Sequence, residues 1–282
     1  MGSGVALSDG IPSVRSYREV LESGIFKEME VFSNRFLSEN HVALRSYTKK
    51  WVRDPLHQWS RQWEYPFVFN KVQQAIVSQP TPRMLDAGSG ITFFPFFLKS
   101  KFDAADVHCC DCDTMLSNIY EAINARQEKR VKFSTSDLRA LPFGEGTFHL
   151  IYCISVLEHI DDYEAIIGEF DRVLAPGGVL IVTFDVSLDG TREMEPGKAI
   201  MLMEALVKRF TPHKDISLDF SSLVTGPGVF TTLTARDIDP ALLPWKGSTF
   251  LHRVKSLIRT GRFGPWPPPL TVFCLGLTKR DG

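Results

Sequence analysis

Apolar and polar positions follow two regimes along the chain. From Val14 to about Val77 apolar residues recur at three and four positions, the helical period. Interruptions are predicted at Asp54-Pro55 and Tyr65-Pro66, because proline cannot continue a helix and biases the residue before it away from one. Tyr47 and Trp51 stand four apart, and Leu56, Trp59 and Trp63 follow at three and four, which places each group on one side of a helix. Such rings either pack on the flank of a main domain or wall a pocket. After Gln79-Pro80-Thr81-Pro82 the pattern changes to short apolar runs separated by amphipathic stretches. Strands are predicted over 83–86, 105–111, 131–134, 148–153 and 179–184, and a closing strand over 270–278. Helices are predicted over 93–100, along Met115, Ile119 and Ile123, over 162–174, and along Ala199, Leu202, Met203, Leu206, Val207 and Phe210. Thr234-Ala235-Arg236-Asp237 has capping-box spacing.

Strands that alternate with helices predict a doubly wound, mostly parallel α/β sheet of Rossmann-like type with helices on both faces, because each parallel return needs a crossover. The expected organisation is a disordered stretch over 1–12, a helical segment over 13–80 and an α/β domain over 81–282. Insertions around 186–269, rich in proline and glycine, are expected to cap its site.

Composition narrows the classes. With 282 residues, 44% of them hydrophobic, the chain buries a large core without disulfides or metal. A formal charge of -1 gives no pull toward nucleic acid, so no nucleic-acid partner is expected. The five cysteines, Cys109, Cys110, Cys112, Cys153 and Cys274, lie mostly in strand-like segments rather than in a framework, which points to a reduced, cytoplasmic protein. No leader peptide and no transmembrane segment are expected. Cys109-Cys110-Asp111-Cys112 is not read as a metal site, since strand alternation sends Cys109 and Cys110 to opposite faces.

The chemistry concentrates at predicted strand ends. Arg83 to Thr92 reads as a strand ending in Asp86, followed by a turn with Gly88 and Gly90, whose lack of a Cβ lets a ligand approach the main chain. Asp111 closes the second strand, near the spacing at which an acid accepts from ribose hydroxyls, and Asp137 follows the third. Three acids at consecutive strand ends call for a cationic or donor-rich ligand.

The ordered run of Leu85-Asp86-Ala87-Gly88-Ser89-Gly90, Asp111, Ser136-Asp137-Leu138-Arg139-Ala140-Leu141-Pro142-Phe143, Phe148 through Ile160, and Leu174-Ala175-Pro176-Gly177-Gly178 resembles the class I S-adenosylmethionine-dependent methyltransferases, most of all the branch that acts on small molecules. The resemblance covers about residues 83–185 and implies a seven-stranded sheet whose last strand is antiparallel. It also implies S-adenosylmethionine as cofactor and S-adenosylhomocysteine as product. By the same resemblance Asp86, Ala87, Gly88, Ser89 and Gly90 hold the methionine part, Asp111 the ribose, and Asp137 with the Leu138 amide the adenine edge; Cys112 and Cys153 complete the cofactor-binding set. Thr92 stands where many members have a third glycine. Ser155-Val156-Leu157-Glu158-His159 lacks the first carboxylate of the metal-binding members, so no catalytic metal is expected.

The expected reaction is methyl transfer to a small-molecule acceptor, with a hydroxyl oxygen favoured and nitrogen or carbon as alternatives, by a monomer or homodimer. A hydroxyl acceptor needs a base. His159, after the fourth strand, and His213, in the segment expected to cover the pocket, are the candidates. His41, His57, His108, His149 and His252 are read as packing or surface residues. A nicotinamide-dependent oxidoreductase would need Gly or Ala where Phe93 stands, and a binding scaffold without turnover would not need the acids at 86, 111 and 137. The basic and aromatic residues His252-Arg253-Val254-Lys255 through Arg262-Phe263 and Trp266 are read as a solvated helix.

Overall fold

The apolar runs that begin at Arg83 pair side by side. The computed structural model describes residues 7–190, 192, 194–214, 228–245 and 266–280, with isolated positions 250, 254, 257, 258 and 261. Its sheet comprises β1 (Arg83–Ala87), β2 (Asp106–Asp111), β3 (Lys132–Thr135), β4 (Phe148–Ile154), β5 (Leu174–Ser187), β6 (Phe210–Pro212) and β7 (Leu270–Lys279), in the order β3-β2-β1-β4-β5-β7-β6. The first five strands are mutually parallel, β7 runs antiparallel to β5, and β6 antiparallel to β7. Strand order therefore reverses between β1 and β4, where a crevice opens beyond the carboxyl ends.

Before the sheet come α1 (Val14–Glu22), α2 (Gly24–Glu39), α3 (His41–Lys50) and α4 (Arg61–Ala75). The crossovers are α5 (Phe94–Lys101), α6 (Leu116–Asn124), α7 (Tyr163–Val173) and α8 (Pro196–Arg209), and α9 (Thr232–Ile238) precedes the last strand. One apolar cluster joins the buried residues of α1 through α6 to one face of the sheet, and a second joins α7 and α8 to the other. Cys109 belongs to the first cluster and Cys110 to the second, as strand alternation requires. The helical segment is thus part of the core layer over the sheet. No helix among the described residues is long and apolar enough to cross a membrane.

Several expectations are corrected. Residues 7–12 are paired rather than disordered: the Gly10 amide donates to Cys274 O at 2.7 Å, and Asp9 meets Lys71 at 2.7 Å with its side chain 1% exposed. Helix α4 runs through Pro66 without breaking. Residues Gln62 to Phe69 are all buried, and burial on every side offsets the hydrogen bond that proline cannot donate. Leu56, Trp59 and Trp63 do not share a helix, because the chain between α3 and α4 is irregular and the Trp59 amide donates to Leu242 O at 3.1 Å. Met115 caps α6 from outside and is exposed, while Leu116, Ile119, Tyr120 and Ile123 form the buried stripe. The capping box lies three residues earlier than expected, with Thr231 as the cap and Thr234 as its partner. Most of the basic segment at 252–265 lies outside the described residues.

Candidate functional site

The site is built on the turn after β1. Gly88 has φ +76° and Gly90 φ +51°, both in the left-handed region that glycine adopts without steric cost. A Cβ at Gly88 would stand 2.7 and 2.8 Å from the two Val156 methyls, and one at Gly90 would collide with the Tyr47 hydroxyl. The turn is pinned from β2: the Gly88 and Ser89 amides donate to Cys110 O at 2.9 and 3.0 Å. Tyr120 of α6 donates from its hydroxyl to Ser89 Oγ at 3.2 Å and Gly90 O at 3.1 Å. Thr92, in place of a third glycine, accepts from the Phe94 amide at 3.3 Å at the entry to α5. Its hydroxyl has a structural use.

Asp111 faces this turn. Its Oδ2 accepts from the Gly90 amide at 2.9 Å and its Oδ1 from the Asp113 amide at 3.0 Å, which fixes the carboxylate at the crevice. A carboxylate carries about four acceptor sites, so capacity remains for ligand hydroxyls. Asp86 is 5% exposed, and burial together with the nearby Asp111 charge pushes its carboxyl well above the ordinary range. Asp137 is solvent-facing and chelated by the Arg139 guanidinium at 2.5–3.1 Å, which lowers it to about 2.

These residues open onto one cavity of about 720 Å³, within the range of small-molecule sites. Asp86, Gly88, Ser89, Gly90, Asp111, Cys112, Asp137, Leu138 and His159 all line it. Ala87 and Cys153 do not. Both are fully buried in the cluster on the opposite face of the sheet, so their side chains are packing residues. His159 sits exposed at the rim, on the single turn Leu157–His159. His213 lies outside the cavity and is corrected as a base candidate: its amide donates to Gly276 O at 2.9 Å and its Nε2 lies 3.0 Å from Thr278 Oγ1. Thr278 pairs with Val179, near the start of β5, whereas the crevice opens at the strands' far ends.

The far wall comes from the helical segment. Tyr47, Trp51, Trp59 and Tyr65 line the cavity, joined by Trp245 after α9. Of the aromatic residues singled out by spacing, Tyr47, Trp51 and Trp59 wall the pocket, while Trp63 is pure core. Sequence reasoning missed the polar floor beneath them. Glu64 has a fully buried side chain, and its carboxylate accepts from Arg61 at 2.5 Å, Ser155 Oγ at 2.7 Å and Thr183 Oγ1 at 2.5 Å. Arg61 also donates to Ser155, whose φ of +47° is unusual for a residue with a side chain. This network ties α4 to the ends of β4 and β5. Beside it lie Glu158 and Asp185, both lining the cavity. Burial pushes Glu158 up to about 8 and Asp185 well above the carboxylate range, each reinforced by the neighbouring acids. The signal in the sequence was an Arg-x-x-Glu step inside an otherwise aromatic and apolar helix.

Residues 85–182 match the methyltransferase domain family. Over that segment the chain is similar to the class I S-adenosylmethionine-dependent methyltransferases. Over 100 residues it is 33% identical to demethylmenaquinone methyltransferase of Thermus thermophilus, covering 36% of this chain and 46% of that protein. It is 31% identical over 110 residues to ajmaline N-methyltransferase of Rauvolfia serpentina, 38% of this chain and 37% of that one. It is 29% identical over 136 residues to malonyl-[acyl-carrier protein] O-methyltransferase of Halorhodospira halophila, 48% of this chain and 45% of that one. The chain thus spans less than half the length of each of these relatives. Among solved structures, the cyclase SpnF superposes with a TM-score of 0.51 at 20% identity, over 82% of this chain and 86% of that one. Geranyl diphosphate C-methyltransferase of Streptomyces coelicolor superposes with a TM-score of 0.50 at 13% identity, over 78% and 84%. These likenesses extend the shared fold well beyond the matched segment of the methyltransferase domain.

Proposed function

We propose that this protein transfers a methyl group from S-adenosylmethionine to a small-molecule acceptor held between the glycine turn and the aromatic wall. The observation that carries the reading is a single one: the Gly88–Gly90 turn, with Asp86 and Asp111, opens into the same cavity as Tyr47, Trp59, Tyr65 and Trp245. The turn fits the cofactor, since at both glycines a Cβ would fill the cradle or collide with its lining. Asp86 and the turn would receive the methionine part, Asp111 the ribose, and the region of Asp137 and Leu138 the base. When bound, the cofactor supplies an activated methyl on a sulfonium.

The chain's own residues would supply alignment, exclusion of water and the handling of one proton. The helical segment closes one side of the cavity, with Tyr47 held against Gly90. The sequence favours a hydroxyl acceptor with His159 as base, and the relatives include both N- and O-methyltransferases. His159 stands at the rim, whereas Glu158 and Asp185 lie deeper in the cavity beside the Arg61–Glu64 pair. The reading is tested by calorimetric titration of the folded protein with S-adenosylmethionine and, separately, S-adenosylhomocysteine. Micromolar binding of both is expected, and absence of binding by folded protein would refute it.

A further inference from the structure

Glu64 is saturated by Arg61, Ser155 and Thr183. Arg61 gives its hydrogen bonds to Glu64 and Ser155. Glu158 and Asp185 are left without comparable partners. Glu158 is 6% exposed; its Oε1 accepts from the Asp185 amide at 3.4 Å, its carboxylate also meets its own backbone amide, and its Oε2 has no hydrogen-bond partner. Asp185 Oδ1 is likewise buried and unpartnered. A buried polar atom without a partner is rare in a native structure and calls for an explanation, and where its residue lines a cavity, as here, a ligand can complete the arrangement. Arg61 on α4 acts on both acids and His159 at the rim acts on Asp185, each favouring the carboxylate, and Glu64 opposes them. The acids do not converge as a metal site, because no group of three or more His, Cys, Asp or Glu side chains that could hold an ion occurs among the described residues. What the cavity lacks is a compact cation at its floor, with organic surface for Trp59, Tyr65 and Trp245 to cover.

We propose that the acceptor is an amine, docked as its ammonium ion against Glu158 and Asp185 with its organic part along the aromatic wall. The inference rests on the methyl-transfer reading above and narrows it from small molecules in general to amines. Burial holds Glu158 up at about 8, so at neutral pH its carboxyl carries a proton before the ligand arrives. A docked ammonium stabilises the carboxylate, and that proton leaves to solvent. The ammonium then gives a proton to Glu158, and the freed nitrogen lone pair forms the new C–N bond as the C–S bond breaks with its electron pair going to sulfur. The product leaves as the N-methylated ammonium ion, and Glu158 is again protonated. One proton is released per methyl transferred, and charge balances. A hydroxyl acceptor offers no cation to these acids.

The test uses matched probes at saturating S-adenosylhomocysteine: tryptamine and 2-phenylethylamine against tryptophol and 2-phenylethanol, titrated calorimetrically in phosphate and in Tris. In the wild type at least one amine is expected to bind ten or more times more tightly than its alcohol, with close to one proton released as judged from the heats in the two buffers. Glu158→Gln and Asp185→Asn, near-isosteric for the protonated acids, should each abolish that preference and the proton release while leaving S-adenosylhomocysteine affinity within threefold. Equal or tighter binding of the alcohols, or no binding of either amine by protein that binds S-adenosylhomocysteine, would overturn the proposal. So would a tenfold loss of S-adenosylhomocysteine affinity in both variants, which would assign the acids to the cofactor's own amino group. Failure of the wild type to bind S-adenosylhomocysteine would instead refute the methyl-transfer reading.

Discussion

Replacing Gly88 with alanine separates two costs that the structure places at one residue. At φ +76° an L side chain sits in the left-handed region, which costs about 1–2 kcal/mol. The new Cβ would also stand 2.7 and 2.8 Å from Val156 Cγ2 and Cγ1, well inside contact distance, and overpacking of that kind costs about 1–3 kcal/mol. Gly88→Ala should therefore destabilise by about 2–5 kcal/mol in urea melts with unchanged slope. Val156→Ala removes both clashing methyls and leaves Cβ at 3.2 Å from the new group, tight but no longer overlapping. Because Val156 is only half-buried, that change alone should cost about 1 kcal/mol. The double variant should then recover at least about 1 kcal/mol relative to the sum of the singles, the recovered part being steric and the remainder conformational. S-adenosylhomocysteine titration of the same four proteins should show a loss of affinity in Gly88→Ala that Val156→Ala does not fully restore, because the Cβ also occupies the cofactor's approach. Additivity of the two changes within about 0.5 kcal/mol would refute the account, since it would mean that Val156 does not abut the turn.

Three further outcomes follow from the same geometry. Asp111→Ala removes the acceptor for the Gly90 and Asp113 amides as well as a ligand contact, and should weaken S-adenosylhomocysteine binding by about 10–100-fold in calorimetry, the effect of losing one charged hydrogen bond. Glu64→Ala leaves the half-buried Arg61 without its nearest counter-ion and should cost about 2–4 kcal/mol in denaturation, below the cost of breaking a fully buried pair, whereas Arg61→Met with Glu64→Leu should cost less, because it removes both charges together. His57 sits 2.7 Å from Asp54 and 3.0 Å from Glu30, and the Asp54 hydrogen bond raises it to about 9. A folded-state value above the unfolded one gives stability that is complete below about pH 6.5 and lost as pH rises through about 9. His57→Gln should accordingly lower the melting temperature at pH 6 and change it little at pH 10.

The parts of the site that lie at strand ends were legible, because the alternation of apolar runs fixes where strands stop and hence where Asp86, Asp111 and Asp137 fall. The sheet order and the antiparallel closing strand followed from the resemblance and from the pattern of Leu270 to Thr278. The floor of the cavity was not legible. Glu64 meets Ser155 and Thr183 from positions 91 and 119 residues away, and no local period encodes such a contact. Ala87 and Cys153 were placed in the cofactor set by motif position, but the same two-residue alternation that sorts Cys109 from Cys110 sends their side chains to the other face. Pro66 and Thr234 misled for a related reason. Local signals predict a break or a cap, and the observed outcome at Pro66 is decided by what surrounds α4 on every side.

The strand pairing of Gly10 with Cys274 has a bearing on how the molecule comes to exist. Ser13 bridges Val229, the Phe230 amide donates to Pro12 O at 3.0 Å, and the Tyr17 and Phe230 rings stack at 3.8 Å. Residues 10–17 thus find their seat only on residues more than two hundred positions further along the chain. Contacts of that sequence separation form late, after the intervening chain has closed on itself. Helix α1, stacked through Tyr17 on Phe230 and led in by the Gly10–Cys274 bridge, is therefore seated on a sheet that already holds β7. A nascent chain stopped before Leu270 would already carry the glycine turn, its acids and the aromatic residues that face them, but not the strand on which the segment before α1 is seated.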